Sequence, residues 1–166
     1  DLYDIDVNKV YENESREYAQ NPTKWLGDNQ EVTLMSVDYT NKDLHLIAEN
    51  IYTEAKPQLC DINGTKVLVM QWGNTKRADA DRAMLVYSIY DETSGTWSSP
   101  AAVDDDGTAD FYPCFNDGWL VWQNEKITLT DDMTLTDIAK VGEIYAAKWN
   151  GNGFDTPVAI TDNGTL

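Results

Sequence analysis

The chain has 166 residues, 42% of them hydrophobic, and its 29 Asp and Glu against 12 Lys and Arg give a net charge of −17. This length suits a single domain with a sizeable core, and the acidic balance disfavours nucleic acid and anionic membrane surfaces, which attract clustered Lys and Arg. No apolar run approaches the ~20 residues of a membrane-spanning helix, so we expect no membrane insertion.

The first third of the chain, approximately residues 1–50, predicts a weak copy of a strand repeat. Apolar residues alternate with aspartates over residues 3–7, a pattern typical of a strand, and a short helix is expected around 8–19. Two further strands are predicted at 31–39 and 43–48, with an Asn-Lys turn between them.

The second copy, approximately residues 57–106, predicts four short strands. Apolar and β-branched runs occupy 57–61, 66–72, 83–90 and 97–103. Asn-Gly and Ser-Gly dipeptides lie between these runs, and such dipeptides are typical of tight hairpin turns.

The third copy, approximately residues 113–163, repeats the same order. Strands are expected at 113–115, 119–123, 143–149 and 154–160. Asp-Gly and Asn-Gly dipeptides mark two of its turns. The long loop over 128–141 has apolar spacing that fits a short amphipathic helix, and a solvated cap over the sheet is the alternative.

An internal repeat supports this division. Residues 97–108 align with 154–165 at a constant offset of 57, so that Pro100 falls on Pro157. The segments 68–71 and 120–123 align at an offset of 52, and Pro57 matches Pro113 at an offset of 56.

Four-stranded repeats of ~40–50 residues are typical of propeller blades. The fold class expected is therefore all-β: a β-propeller segment of about three four-stranded antiparallel blades, with a short helix in one or two long loops. Residues 1–166 form a single propeller-like domain in this interpretation, which is part of a larger ring. Either the missing remainder of the same parent chain or a head-to-tail homodimer completes that ring.

The hairpin between the third and fourth strands of the second copy carries a family resemblance. Its sequence includes Ser88, Asp91, Gly95, Thr96 and Trp97. This pattern resembles a degenerate Asp-box of sialidase-type propellers, with longer spacings, and the repeats look like those of large secreted or surface proteins of anaerobic bacteria. The resemblance implies a bladed fold and a secreted or cell-surface location. It implies no activity, because the Asp-box of that family is structural.

Candidate ligand-binding residues lie near the loops at one end of the predicted strands. Trp72 and Trp122 end second strands, while Arg77 and Tyr112 lie in or beside the long loops. Aromatic rings with carboxylate or amide neighbours suit a glycan, and the same surface suits a protein ligand. Packing between blades is the alternative role for the tryptophans.

The segment 104–110 is the densest carboxylate cluster and predicts a calcium site. Asp104, Asp106 and Asp110 are its candidate ligands, because Ca²⁺ prefers several oxygen ligands on a flexible loop. The alternative is a solvated turn in which Asp105 and Asp162 cap backbone amides.

Three functions remain open from the sequence. The one favoured is an extracellular binding or interaction module that presents an acidic, aromatic loop face to a glycan or protein ligand. The alternatives are a fragment of a propeller glycoside hydrolase or sialidase-like enzyme, and a structural spacer of a surface protein. No catalytic residue is predicted, since His45 is the sole histidine and no carboxylate pair is singled out by spacing. Cys60 and Cys114 form either a disulfide or two buried thiols.

Overall fold

The computed structural model describes residues 31–37, 40, 42–52, 56–72, 83–125, 137 and 140–162. Those residues form eleven strands, all paired antiparallel. The strands are β1 (Glu31–Val37), β2 (Leu44–Tyr52), β3 (Gln58–Ile62), β4 (Thr65–Trp72), β5 (Met84–Asp91), β6 (Thr96–Trp97), β7 (Ala101–Ala102), β8 (Ala109–Asn116), β9 (Trp119–Glu125), β10 (Gly142–Lys148) and β11 (Val158–Ala159).

The described strands form three successive layers. Strands β1 and β2 make a hairpin that joins the next sheet only through the pairing of Ile51 with Trp72. Strands β3 to β7 make a first meander, in which β3 pairs with β4, β4 with β5, and β5 with both short strands β6 and β7. Strands β8 to β11 make a second meander in simple chain order.

The two meanders share one strand register. A row of directly paired residues crosses each sheet from its first strand to its last. The row in the first meander is Gln58, Val69, Tyr87 and Ala101, and the row in the second is Cys114, Val121, Ala146 and Val158. Corresponding members are separated by 56, 52, 59 and 57 residues, so three of the four spacings are the offsets read from the sequence repeat.

The first hairpin of each meander turns through two residues in the left-handed region. Asn63 and Gly64 have φ of 54° and 88°, and Asp117 and Gly118 have φ of 49° and 74°. Such turns match the natural twist of the paired strands and favour Asn-Gly and Asp-Gly. The two hairpins predicted from these dipeptides are confirmed.

The turn at Gly64 gives a simple stability prediction. A Cβ at this glycine would meet no heavy atom within 4 Å, so an alanine there is strained only by its φ of 88°. We expect Gly64→Ala to lower the free energy of unfolding by about 1 kcal/mol in urea titrations. Gly64→Asn is the matched control and should lose less, because asparagine tolerates positive φ better. Equal losses for the two variants would contradict this explanation.

Two apolar clusters hold the layers together. Leu68 and Met70 of β4 point to one face and pack with Ile47 and Ile51 of the hairpin. Neighbouring β4 residues point to the opposite face, where Val69 packs against the second meander. Side chains alternate along a strand, so the first meander is covered on both faces.

The all-β class is confirmed in the described residues, which form two antiparallel sheets and no closed propeller. The number of blades and the larger ring stay predictions. The strand at 3–7 and the helix at 8–19 lie outside the described residues, as does nearly all of the loop at 128–141. No helix in the described ranges is long and apolar enough to cross a membrane.

Candidate ligand-binding groove

A groove of about 490 Å³ opens between the β1–β2 hairpin and the first meander. It follows the seam where β2 passes the short strands β6 and β7. Two tryptophans, two carboxylates, an asparagine and a serine contribute to its lining: Trp72, Trp97, Glu49, Asp105, Asn50 and Ser98. A cavity of ~300–1,000 Å³ with apolar walls and a few polar groups is typical of small-molecule sites.

The tryptophans are held by the sheet beneath them. Trp72 ends β4 and is paired with Ile51 and Met84, while Trp97 in β6 is paired with Tyr90. The rings of Trp97 and Tyr90 lie 5.2 Å apart at an angle of 54°. Both tryptophans are half-buried and pack on the apolar cluster between the hairpin and the first meander. Each therefore combines a fixed position with an accessible surface.

The polar rim depends on a change of direction in β2. Asn50 has φ of 59°, a conformation that asparagine adopts more readily than most residues. This kink precedes Ile51, which joins β2 to the first meander. The exposed Glu49 and Asp105 place negative charge at the groove.

The predicted ligand-binding residues separate in the structure. Trp72 lies in the groove, whereas Arg77 lies outside the described residues. Trp122 is 2% exposed and packs in the core between the meanders, so the alternative role in packing is the one the structure shows. Its ring is therefore inaccessible to a ligand at the surface. Tyr112 is 61% exposed at a bulge in β8, but it does not line the groove.

The bulge that exposes Tyr112 is strained. Its φ of 54° is unusual for a large aromatic residue, and its backbone N–H donates to Oε1 of Gln71 at 3.2 Å. Gln71 is itself buried in β4. Bulges of this kind redirect a side chain, here turning the tyrosine ring toward solvent.

Buried polar residues form a second feature, at the loop end of the second meander. Asp110, Asn124 and Glu143 are cross-strand neighbours in one row, and each is at most 3% exposed. Asn124 Nδ2 donates to Asp110 Oδ1 at 3.0 Å, and Trp122 Nε1 donates to the same oxygen at 2.5 Å. The hydroxyl of Thr161 donates to Glu143. These bonds satisfy polar groups that burial would otherwise leave unpaired.

Burial raises the pKa of three carboxyl groups in this region: Asp104, Asp110 and Glu125. Desolvation raises the pKa of Asp110 to about 7, partly opposed by the bonds from Asn124 and Trp122 and reinforced by Asp106 and Asp104. Desolvation also raises the pKa of Glu125, whose Oε2 has no hydrogen-bond partner in the described part of the chain. A carboxyl group with a raised pKa is a candidate for acid catalysis. The bonds that Asp110 Oδ1 accepts inside the core favour a structural role instead.

The loop predicted to bind calcium is held by hydrogen bonds between its own residues. Asp106 Oδ1 accepts from the backbone N–H of Thr108 at 2.9 Å and from its hydroxyl at 2.6 Å. The turn is thus capped by Asp106 rather than by the expected Asp105. No group of three or more His, Cys, Asp or Glu within the described ranges is placed to hold a metal ion, and the site at Asp104, Asp106 and Asp110 stays a prediction.

The hairpin with the family resemblance is closed by its aspartate. The side chain of Asp91 accepts from the backbone N–H of Thr93 at 2.8 Å and from the hydroxyl of Ser94 at 2.9 Å. These bonds lower the pKa of Asp91. In the second meander, Asn150 Oδ1 accepts from the N–H groups of Asn152 and Gly153. The cysteines predicted as a disulfide or as two buried thiols are both free, with Cys60 half-buried and Cys114 exposed.

Comparison with family models, with characterised proteins and with solved structures finds no match for this chain. Trp97 was not among the predicted ligand-binding residues, and the only sequence signal at its position is the Asp-box-like hairpin that contains it. The conformation of Asn50, which brings β2 to the groove, has no signal in the sequence beyond the residue type.

Proposed function

We propose that the chain is an extracellular binding module that holds a carbohydrate in the groove between the β1–β2 hairpin and the first meander. The observation that carries the proposal is the pairing of two half-buried tryptophans, Trp72 and Trp97, with carboxylate and amide groups around one cavity. The sequence supports the same class of function through its aromatic content and acidic loops.

The chemistry of the lining suits a sugar. The apolar face of a pyranose ring stacks on an indole, and its hydroxyls donate to carboxylates in bonds stronger than neutral ones. Trp72 and Trp97 supply the rings, and Glu49 and Asp105 supply the acceptors. Because the rim and the whole chain are acidic, neutral sugars should bind more tightly than sialylated or sulfated ones.

Titration of the full chain with a panel of neutral and sialylated oligosaccharides tests the proposal. We expect tryptophan fluorescence and calorimetry to detect binding of neutral members, and Trp97→Ala to weaken it about tenfold or more. Glu49→Gln keeps the groove shape and should weaken binding by a smaller factor. Trp119→Ala is the control, because Trp119 is exposed on a different sheet face and does not line the groove.

Each alternative predicts a different outcome. Turnover of an oligosaccharide would favour the glycoside hydrolase alternative. A chain that binds no member of the panel, with its fold intact by circular dichroism, would overturn the carbohydrate proposal and leave a protein ligand or a spacer role. Binding that Trp119→Ala abolishes and Trp97→Ala preserves would move the site away from the groove.

A further inference from the structure

Within the described residues, no layer covers the outer face of the second meander, whereas the equivalent face of the first meander is covered by the second. We name the face of each layer that points toward the next layer along the chain its forward face, and the opposite one its backward face. The forward face of the first meander carries Val69 and Tyr87, and both pack against the second meander. The residues at the same register in the second meander are Val121 and Ala146. They lie on its forward face, which no described layer covers.

This uncovered face is apolar. Trp119 is 50% exposed, Val158 is 65% exposed and Ile160 is 60% exposed. Lys148 lies directly across from Trp119, with its Nζ 5.7 Å from the centre of the indole ring. An exposed group of large apolar side chains on a sheet face is typical of an interaction surface.

The other end of the stack presents a second apolar face. The hairpin packs on the first meander through Ile47 and Ile51, and its backward face carries alternate residues of β1 and β2. Met35 and Leu44 are the clearest of these, 46% and 66% exposed and outside the lining of both cavities beside the first meander. Their directly paired partners Leu46 and Val37 are also exposed and reach the edges of those cavities.

Both interfaces inside the chain follow one rule. The forward face of the hairpin meets the backward face of the first meander, and the forward face of the first meander meets the backward face of the second. Among the three described layers, the two faces without a neighbouring layer are one forward face and one backward face. The hairpin of a second copy therefore presents a backward face to the uncovered forward face of the second meander. Inside one chain, a forward face is covered by a backward face in the same way.

We propose that the chain associates head to tail with a second copy, the forward face of the second meander packing on the backward face of the β1–β2 hairpin. Such a contact is heterologous, so the assembly closes into a ring if the rotation allows and otherwise extends. The net charge of −17 on each copy opposes association. We therefore expect tighter association as salt screens that repulsion.

Sedimentation of the full chain over a range of concentrations, at low and at physiological salt, tests the proposal. Val158→Asp changes only the forward face and Leu44→Asp only the backward face, and both residues are at least 65% exposed. We expect each variant alone to be a monomer, with the association constant lowered about tenfold or more. Leu59→Asp is the matched control, because Leu59 is 60% exposed on the middle layer and belongs to neither end face.

Mixing the two variants gives the sharpest result. Each retains one intact face, so an equimolar mixture should form a dimer through a single contact, although neither variant self-associates. A symmetric contact between two forward faces would instead leave Leu44→Asp able to dimerise, and would overturn the head-to-tail arrangement. A wild-type chain that stays monomeric at every concentration and salt would overturn the proposal altogether.

Discussion

Replacing Trp122 with alanine is expected to lower the free energy of unfolding by about 3–5 kcal/mol, the range for a large aromatic side chain removed from a core. Trp122 is 2% exposed and packs between the two meanders with Val69, Leu85 and Leu120. Its removal leaves a cavity and also takes away the indole N–H that donates to the buried Asp110. The second loss adds the cost of a buried acceptor with one donor fewer.

A second variant separates these two contributions and remains useful if the alanine variant does not fold. Trp122→Phe keeps most of the apolar contact but has no N–H to donate, so we expect a loss of about 1–3 kcal/mol. Urea titration followed by far-ultraviolet circular dichroism measures both changes without depending on tryptophan fluorescence.

Trp119→Ala is the control in the same strand. Trp119 is 50% exposed and points to the opposite face of β9, so its replacement should cost less than about 1 kcal/mol. A Trp122→Ala variant as stable as Trp119→Ala would mean that Trp122 is not a core residue, and would return it to the set of candidate ligand contacts.

The position of Trp122 could have been derived from the repeat. In the alignment of 68–71 with 120–123, Trp122 is equivalent to Met70, an interior strand residue. At the same offset, Trp72 is equivalent to Asn124. Met70 is fully buried and Trp122 nearly so. Trp72 and Trp122 both lie near the end of a second strand, but they occupy different positions in the strand register, so their environments need not match.

The hairpins were predictable for a local reason. Asn63 and Gly64, like Asp117 and Gly118, adopt the positive φ values that their residue types favour, and these turns set the register of the strands that follow. The register then fixes which residues of each meander face the core. Sequence alone therefore predicted most strands and the equivalence of the two meanders.

The groove was not predictable, because it arises between layers. The first meander carries Trp72 paired with Met84, and the second carries Asn124 paired with Glu143 at the corresponding positions. At these positions, an open groove lies between the hairpin and the first meander, whereas a buried row of acidic and amide side chains lies between the two meanders. The groove lies beside the kink of β2 at Asn50, and no residue spacing in the sequence encodes that change of backbone direction.

Asp110 is expected to make the chain less stable as the pH rises from 5 to 8. Its pKa is about 7 in the folded chain, against 3.8 for an ordinary aspartate, so between these values the folded state binds more protons than the unfolded state. Stability falls with pH wherever the folded state holds more protons. The contribution is therefore fully present below the unfolded pKa and is lost as the pH rises through 7, by about 2 kcal/mol between pH 5 and 8.

Asp110→Asn should flatten this dependence. An asparagine keeps an oxygen that can accept from Trp122 Nε1 and Asn124 Nδ2, but it has no charge to desolvate and none to be repelled by Asp106 and Asp104. We expect the stability of the variant relative to the wild type to rise by about 2 kcal/mol between pH 5 and pH 8, because only the wild type loses stability over this range. Thermal and urea unfolding across this range measure the difference.

Asp117→Asn is the matched control. Asp117 is exposed in a hairpin turn at a φ of 49°, a conformation that asparagine tolerates, and its replacement removes the same single charge from the chain. If Asp117→Asn flattened the pH dependence as much as Asp110→Asn, net charge would be the cause and the burial of Asp110 would not. Added Ca²⁺ tests whether Asp110 is instead a calcium ligand. A metal held by Asp104, Asp106 and Asp110 would stabilise the wild type at pH 8 and leave the stability of Asp110→Asn unchanged.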